Sequence, residues 1–357
     1  MIRYSFVVPI YRDARLGDAF CAEFQRVFRE YLGTTAIEDA VELIFVNDDG
    51  SEETAQALRQ LCDVYSFAKA ITLSRNFGQH TALSCGYAHA QGQYVGMLNV
   101  DMEDPPDQIP LLLREIEKAE CDIVWGLRRK RHGPRLAHFT SLGFGYLLNK
   151  ATGYDIPLNV ATLRVMNRPF IDAYNQLTEK GRYIPGLEMW LGFRRGYVDI
   201  VHRGRSTGRS SYTFAKRLNM AFEAMISFSD LPLRFLVLLG SLIALIGVAL
   251  AVFLVVGKIF FTDYQAGYTS TISTIVFLGG VQIMVVAVAS LYIGRILKEV
   301  QNRPLYIIRA AYKVDPVYPT GARPSLPPPA QPDGDGAHHT DGRNAPNDLP
   351  NTRNPEA

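Results

Sequence analysis

Three acidic side chains stand together in Asn99-Val-Asp-Met-Glu-Asp-Pro-Pro106, directly after the apolar run Tyr94-Val-Gly-Met-Leu98. Residues two apart in an extended chain project to one side, so Asp101 and Glu103 can share a hard cation such as Mg²⁺ or Mn²⁺ through carboxylate oxygens. A solvated acidic turn is the other reading of these residues taken alone. A second acidic turn, Asp48-Asp49-Gly50-Ser51, follows a second apolar run, Val41-Glu-Leu-Ile-Phe-Val-Asn47. Two carboxylate-bearing strand ends in one parallel sheet fall at the carboxyl edge, where open α/β sheets bind ligands.

Alternating elements must position these turns. Short β-branched or aromatic runs predict strands at Tyr4 to Ile10, Val41 to Asn47, Ala70 to Ser74 and Tyr94 to Val100. Helices are predicted over Asp18 to Tyr31, Thr54 to Val64 and Thr81 to Ala90. Strands alternating with helices give an α/β fold, a doubly wound and mostly parallel sheet, for residues 1 to about 210. Neither Gly-x-x-x-x-Gly-Lys nor Gly-x-Gly-x-x-Gly occurs, so a P-loop and a dinucleotide fingerprint are both excluded. A nucleotide held by acids and a metal remains open.

Beyond Gly126 the chain turns basic, with Arg128, Arg129, Lys130, Arg131 and Arg135, then Arg164, Arg168, Arg194, Arg195, Arg203, Arg205 and Arg209. Planar guanidinium groups suit bidentate phosphate contacts or an anionic lipid surface, and a solvated basic face is the bland alternative. Leu233 to Phe261 and Ile272 to Ile296 are nearly all apolar. Each exceeds the about 20 residues that span a hydrocarbon core, which favours a membrane hairpin over a buried soluble one. Lys216, Arg217 and Arg234 precede the first span, and Arg295, Lys298, Arg303, Arg309 and Lys313 follow the second, so both termini are expected in the cytoplasm. Ala221 to Leu233 has the spacing of an amphipathic interfacial helix.

A formal net charge of +2, with no basic block interleaved with aromatics, speaks against nucleic acid as a partner. Cys21, Cys62, Cys85 and Cys121 have no Cys-x-x-Cys spacing and read as free buried thiols of a reducing compartment. The first residues show no secretory signal pattern. After Tyr318 the Pro-, Gly-, Asp- and Asn-rich composition predicts disorder. The expected organisation is therefore a catalytic domain over 1–215, an interfacial segment over 216–232, a two-helix hairpin over 233–296, a juxtamembrane segment over 297–318 and a disordered tail over 319–357.

From Val7 to about Arg309 the chain resembles glycosyltransferase family 2, in particular the polyprenyl-phosphate glycosyltransferases related to dolichol-phosphate mannose synthase. The residues that carry the resemblance are Val7-Val-Pro-Ile-Tyr, Asp48-Asp-Gly-Ser, Leu73-Ser-Arg-Asn-Phe-Gly, Asp101-Met-Glu-Asp-Pro-Pro, Leu163-Arg-Val-Met-Asn-Arg, Arg205-Ser-Thr-Gly-Arg-Ser-Ser-Tyr, Tyr292-Ile-Gly-Arg and Asn302-Arg-Pro-Leu-Tyr, in that order. It implies a GT-A fold whose sheet edge holds a nucleotide sugar, UDP- or GDP-linked, while a polyprenyl phosphate such as undecaprenyl phosphate approaches from the membrane. Pro9, Tyr11 and Asp49 would contact the nucleoside with Asp48 nearby, Asn99 would contact the donor, and Asp101 with Glu103 would hold the divalent cation. Arg128 and Arg164 would lie near the acceptor phosphate and leaving group, and Arg205 and Ser210 in the segment that closes toward the lipid. A homo-oligomer, tetramer or dimer, is also in keeping with the family.

The chain departs from the family pattern at four places. Relatives commonly read Asp-Ala-Asp-Leu-Gln-Asp-Pro-Pro where Asn99 to Pro106 stands, so one charge is lost at Asn99 and one gained at Glu103. Arg12 replaces a frequent Asn, Asn47 is an extra residue before the acidic turn, and Ser211 stands where Lys is usual. Two other readings stay open. A processive polysaccharide synthase is disfavoured by the absence of Gln-x-x-Arg-Trp and by only two spans, and an inactive membrane-tethered scaffold is motivated by Asn99.

Overall fold

In the computed structural model the described residues are 1–118, 120–128, 159–201 and 267–315, with 236–243, 245–247, 249, 252 and 256 between the last two stretches. The parallel centre of the sheet is β2 (Val41–Asn47), β1 (Tyr4–Ile10) and β4 (Tyr94–Met97), with β3 (Ala68–Leu73) beside β2. Around them lie β5 (Ile123–Arg128), β6 (Val160–Asn167), β7 (Arg195–Ile200) and β8 (Ile308–Tyr312), in the spatial order β7-β5-β6-β4-β1-β2-β3-β8. β6 runs antiparallel to β4 and β5, and β8 antiparallel to β3; the other four pairings are parallel. The expected mostly parallel α/β sheet is thus observed, as a mixed sheet.

Strand alternation divides the core between two faces. On one face Tyr4, Phe6, Val8, Ile10, Leu43 and Phe45 pack with Phe20, Phe24 and Phe28 of α1 (Gly17–Leu32), Leu58 of α2 (Glu52–Val64) and Leu112 of α4 (Ile109–Ile116). On the other, Val7, Ile44, Val46, Met97 and Trp125 pack with Leu83 of α3 (Gln79–His89), Phe170 of α5 (Arg168–Asn175) and Leu187 of α6 (Ile184–Trp190). In α1 the apolar residues 20, 24, 27 and 28 recur on one helical stripe, and Gly33 at φ 64° ends the helix in the left-handed conformation. All four cysteines are buried free thiols.

Two strands depart from expectation, the first being β3, which runs Ala68–Leu73 rather than Ala70 to Ser74. β4 stops at Met97 rather than Val100, because beyond it the chain leaves the ladder for the turn that carries Asp101. The predicted first span, 233–261, lies mostly outside the described residues, and those described within it are helical. The predicted second span lies within α7 (Tyr268–Val300), of which Phe277–Val300 is long and apolar enough to cross a membrane. Its 24 residues cover about 36 Å, and none of its apolar window is buried. Phe277, Ile283, Val286 and Ile293 are each more than half exposed, against the habit of a soluble core helix. The expected interfacial helix and C-terminal tail lie outside the described residues.

Candidate active site

β1, β2 and β4 carry both acidic turns out at one edge of the sheet, because all three run in the same direction. At the end of β2 the backbone N–H of Asp48 donates to the carbonyl of Ile10 at 2.9 Å, which welds the exits of β1 and β2 together. The Asp48 carboxylate is buried and accepts from the amides of Phe77 (2.8 Å) and Gly78 (3.1 and 3.2 Å). Burial pushes its pKa above the ordinary value, and those two amides offset part of the rise. Asp49 behaves oppositely. Burial alone would raise it, but the Ser51 amide (2.7 Å), the Thr54 hydroxyl (2.8 Å) and the Arg12 backbone hold it below the usual carboxylate range. Two adjacent acids are therefore divided between a buried brace and a charged group at the mouth of the turn. Ser51 caps α2 by accepting from the Thr54 amide at 3.2 Å, so the turn passes directly into a helix N-terminus.

The structure brings Pro9 and Tyr11 to this corner. Pro9 pairs in register with Val46, and Tyr11, 49% exposed, lies under the Arg12 guanidinium at 5.2 Å. Arg12 itself has φ 65°, a left-handed backbone that non-glycine residues seldom adopt, which turns the chain sharply as it leaves β1.

The second turn begins where the Leu98 amide donates to Val7 at 3.1 Å. Asn99 accepts from the Gln79 side chain and donates to the Thr162 hydroxyl, both at 3.3 Å. Because Gly78 is bound by Asp48 and Gln79 by Asn99, the loop before α3 joins the two turns. Asp101 accepts from the Glu103 amide at 3.2 Å around Met102, whose φ of 55° is again left-handed. That geometry folds residues 101–103 into a tight turn rather than the extended run the sequence suggested. Asp104 is only 3% exposed and binds both Arg128 Nε (3.2 Å) and Nη2 (2.9 Å), while also accepting from the Thr162 amide at 2.9 Å. This bidentate fork fixes the Arg128 guanidinium at the end of β5, 3.9 Å from Glu103.

Arg164 lies deeper than its expected role beside the acceptor suggests. It is 6% exposed, donating to Glu188 of α6 at 2.6 Å and to the Thr162 carbonyl at 3.1 Å. The indole of Trp125 also donates to Glu188, at 3.2 Å. Burial opposes the Arg164 charge, but Glu188 outweighs it and keeps the guanidinium ionised. Arg205 and Ser210 lie outside the described residues.

Sequence reasoning passed over Glu188, Thr162, Gln79 and His80. Glu188 had a signal, being the only charged residue in Tyr183-Ile-Pro-Gly-Leu-Glu-Met-Trp190. His80 sits in the first turn of α3 with its ring 6.0 Å from that of Tyr183. Burial, assisted by the Arg164 charge, lowers its pKa to about 4, so the imidazole is neutral at pH 7. A depressed histidine pKa means that the unfolded chain binds the proton first: stability is complete above about pH 6.5 and falls as pH drops toward 4. Urea unfolding at pH 7 and pH 5 is therefore expected to show a smaller acid loss in His80→Gln than in wild type. Equal losses would remove His80 from the acid-sensitive set.

Among the described residues no group of three or more His, Cys, Asp or Glu forms a ready-made metal cage. Two carboxylates at a turn suit a magnesium-like ion, which keeps several waters and takes its remaining ligands from a phosphate-bearing substrate.

A doubly wound sheet with two acidic strand exits and a fixed arginine is a frame that suits a group transferase, and similarity to known proteins specifies which class. Residues 5–174 match the model of glycosyl transferase family 2. An uncharacterized glycosyltransferase of Synechocystis sp. is 35% identical over 86% of this chain and 95% of its own length. A prophage-derived bactoprenol glucosyl transferase of Shigella flexneri is 32% identical over 88% of this chain and 100% of its own. The undecaprenyl-phosphate 4-deoxy-4-formamido-L-arabinose transferase of Proteus mirabilis is 31% identical over 86% and 93%. The chain belongs to glycosyl transferase family 2 and is a glycosyltransferase.

Proposed function

We propose that the chain transfers a hexosyl group from a UDP- or GDP-linked sugar to a polyprenyl phosphate at the cytoplasmic leaflet, with inversion at the anomeric carbon. The observation that carries this reading is one chain joining the Asp101–Glu103 turn, beside an arginine held by Asp104, to an apolar helix with no buried window. The names of the Shigella and Proteus relatives support a lipid-phosphate acceptor.

A phosphate oxygen of the acceptor attacks C1, the bond from C1 to the diphosphate breaks, and the nucleoside diphosphate leaves with the electron pair. A phosphate monoester is anionic near neutral pH, so the attack needs little help from a general base. The protein's work is to bring two anions together and to stabilise the leaving group. Asp101 and Glu103 would hold Mg²⁺ or Mn²⁺, which supplies positive charge to the diphosphate. Arg128 adds a fixed cation at the same edge, oriented by Asp104. Pro9, Tyr11 and Asp49 would receive the nucleoside, with Asp48 bracing their loop and Asn99 between α3 and β6 touching the donor. Arg164 acts from beneath, and Arg205 with Ser210 would close over the acceptor phosphate. In this scheme α7 and the 233–261 run form the membrane hairpin, with residues 216–232 along the interface and both termini in the cytoplasm. Self-association into a dimer or tetramer would complete the two-helix unit.

The test is turnover by purified full-length protein with a polyprenyl phosphate, Mg²⁺ or Mn²⁺ and a panel of nucleotide sugars. One lipid-linked hexose of inverted configuration is the expected product. A polymer would indicate a processive synthase, and nucleotide binding without turnover a scaffold.

A further inference from the structure

The segment after the membrane helix, opening with Asn302-Arg-Pro-Leu-Tyr, has no part in the scheme above, yet it is fastened first to the loop between α5 and α6 and then to the catalytic sheet. As α7 ends, Glu299 accepts from the Lys180 amide at 2.8 Å and Asn302 from the Lys180 ammonium at 3.3 Å. The Arg295 guanidinium lies so close over Gly181 that a Cβ there would come within 2.6 Å of it. Tyr306 and Ile308 are buried at 4% and 7% exposure in the core that holds α3. The Ser74 amide donates to the Ile307 carbonyl at 2.9 Å, and β8 then pairs with β3.

The next residue reaches the first acidic turn. Arg309 Nη1 donates to the Gly50 carbonyl at 2.8 Å and Nη2 to Glu52 Oε2 at 2.6 Å. Gly50 has φ 68°, and a Cβ there would lie 3.1 Å from both Arg75 Cα and the Leu73 carbonyl oxygen, so the turn is already pressed against the exit of β3. Its inner side is held by Asn47, Arg12, Ser51 and Thr54. Arg309 braces the outer side with a two-pronged fork whose planar geometry fixes direction as well as distance. Both partners of the ion pair are about half exposed, so the charge attraction counts for little and the fixed geometry for more.

We propose that Arg309 is a positioning residue for the Asp48–Ser51 turn, so that the strand returning from the membrane helix sets the affinity for the nucleotide. This rests on the reading of that turn as donor-binding. The catalytic sheet and the membrane anchor are then one unit, with the nine residues from Gln301 to Arg309 linking helix end to donor site.

The experiment uses full-length protein in detergent and measures binding of UDP and GDP with Mg²⁺ alongside transfer kinetics. Arg309→Met keeps the aliphatic stem on the strand and removes only the fork. It is expected to weaken nucleotide binding by about three- to tenfold while the acceptor KM stays within about twofold. Amides from Asp49 to Thr54 should exchange hydrogen faster, and Arg309→Lys should recover part of both effects. Wild-type nucleotide affinity in Arg309→Met overturns the proposal. So does a parallel rise in donor and acceptor KM accompanied by lost thermal stability, since that describes an edge strand only. If wild type binds neither UDP nor GDP, the donor reading fails and takes this proposal with it; if wild type binds and Arg309→Met binds equally, only the proposal fails.

Discussion

Asp101→Asn is expected to lower the rate of glycosyl transfer by at least about two orders of magnitude, the scale on which removal of a charge-stabilising group acts in a transition state. The substitution is nearly isosteric. In the structure Oδ1 of Asp101 accepts from the Glu103 amide, and an asparagine oxygen can accept the same bond, so the turn around Met102 is kept. What disappears is the charge. Unfolding free energy should therefore change by less than about 1 kcal/mol, as for surface substitutions that spare a special backbone contact. Steady-state kinetics under saturating Mg²⁺ or Mn²⁺, paired with thermal unfolding, separates the two effects. Near-normal transfer by a well-folded Asp101→Asn protein would sink its assignment as a metal ligand. Glu103→Gln is expected to cost less than Asp101→Asn, because Glu103 already faces Arg128 at 3.9 Å and its loss releases a cation at the same edge.

The elements that could be read from the sequence are those with a local pattern. β1 and β2 occupy the predicted residues, since each is a short β-branched run with polar residues at its exit. α1 and α2 fall within one or two residues of prediction, because apolar spacing marks them; the Ser51 cap, which starts α2 at Glu52, was not read. β5, β6, β7 and β8 did not stand out. Arg164 interrupts the apolar pattern of β6, and β7 alternates on an exposed edge. β8 is defined by its partner β3, about 240 residues earlier, and no local pattern carries that information.

The site divides in the same way. Both acidic turns were visible as carboxylates at strand ends, but the work of each acid was not. In the fold the Asp48 carboxylate accepts from the Phe77 and Gly78 amides, and the Asp104 carboxylate from Arg128 and the Thr162 amide. The distinction depends on which groups converge from α3, β5 and β6, which is a property of the folded sheet. Arg12 and Met102 hold left-handed backbones that composition alone would assign to glycine or asparagine.

The buried pair of Arg164 and Glu188 gives the second large effect. Glu188→Ala strands an arginine that is 6% exposed with no carboxylate, and breaking such a pair costs about 3–5 kcal/mol. In thermal unfolding that corresponds to a loss on the order of 10 °C for a domain of this size. Glu188→Gln keeps an oxygen for Arg164 and for the Trp125 indole, so it should lose less. Replacing both partners by apolar residues, Arg164→Met with Glu188→Leu, removes the two desolvated charges together and should recover most of the lost stability. The double variant is the informative one, because it asks why a costly cation is kept one layer beneath the reacting edge. If Arg164 serves the transfer, the stable double variant binds nucleotide normally yet shows a raised acceptor KM or a kcat reduced at least about tenfold. Wild-type kinetics in that variant would reduce the pair to a packing device. The pair's place favours the first outcome: Arg164 also donates to the Thr162 carbonyl, and the Thr162 amide holds Asp104, which in turn holds Arg128. Removing Arg164 therefore loosens the support of a second arginine that lies at the sheet edge beside Glu103.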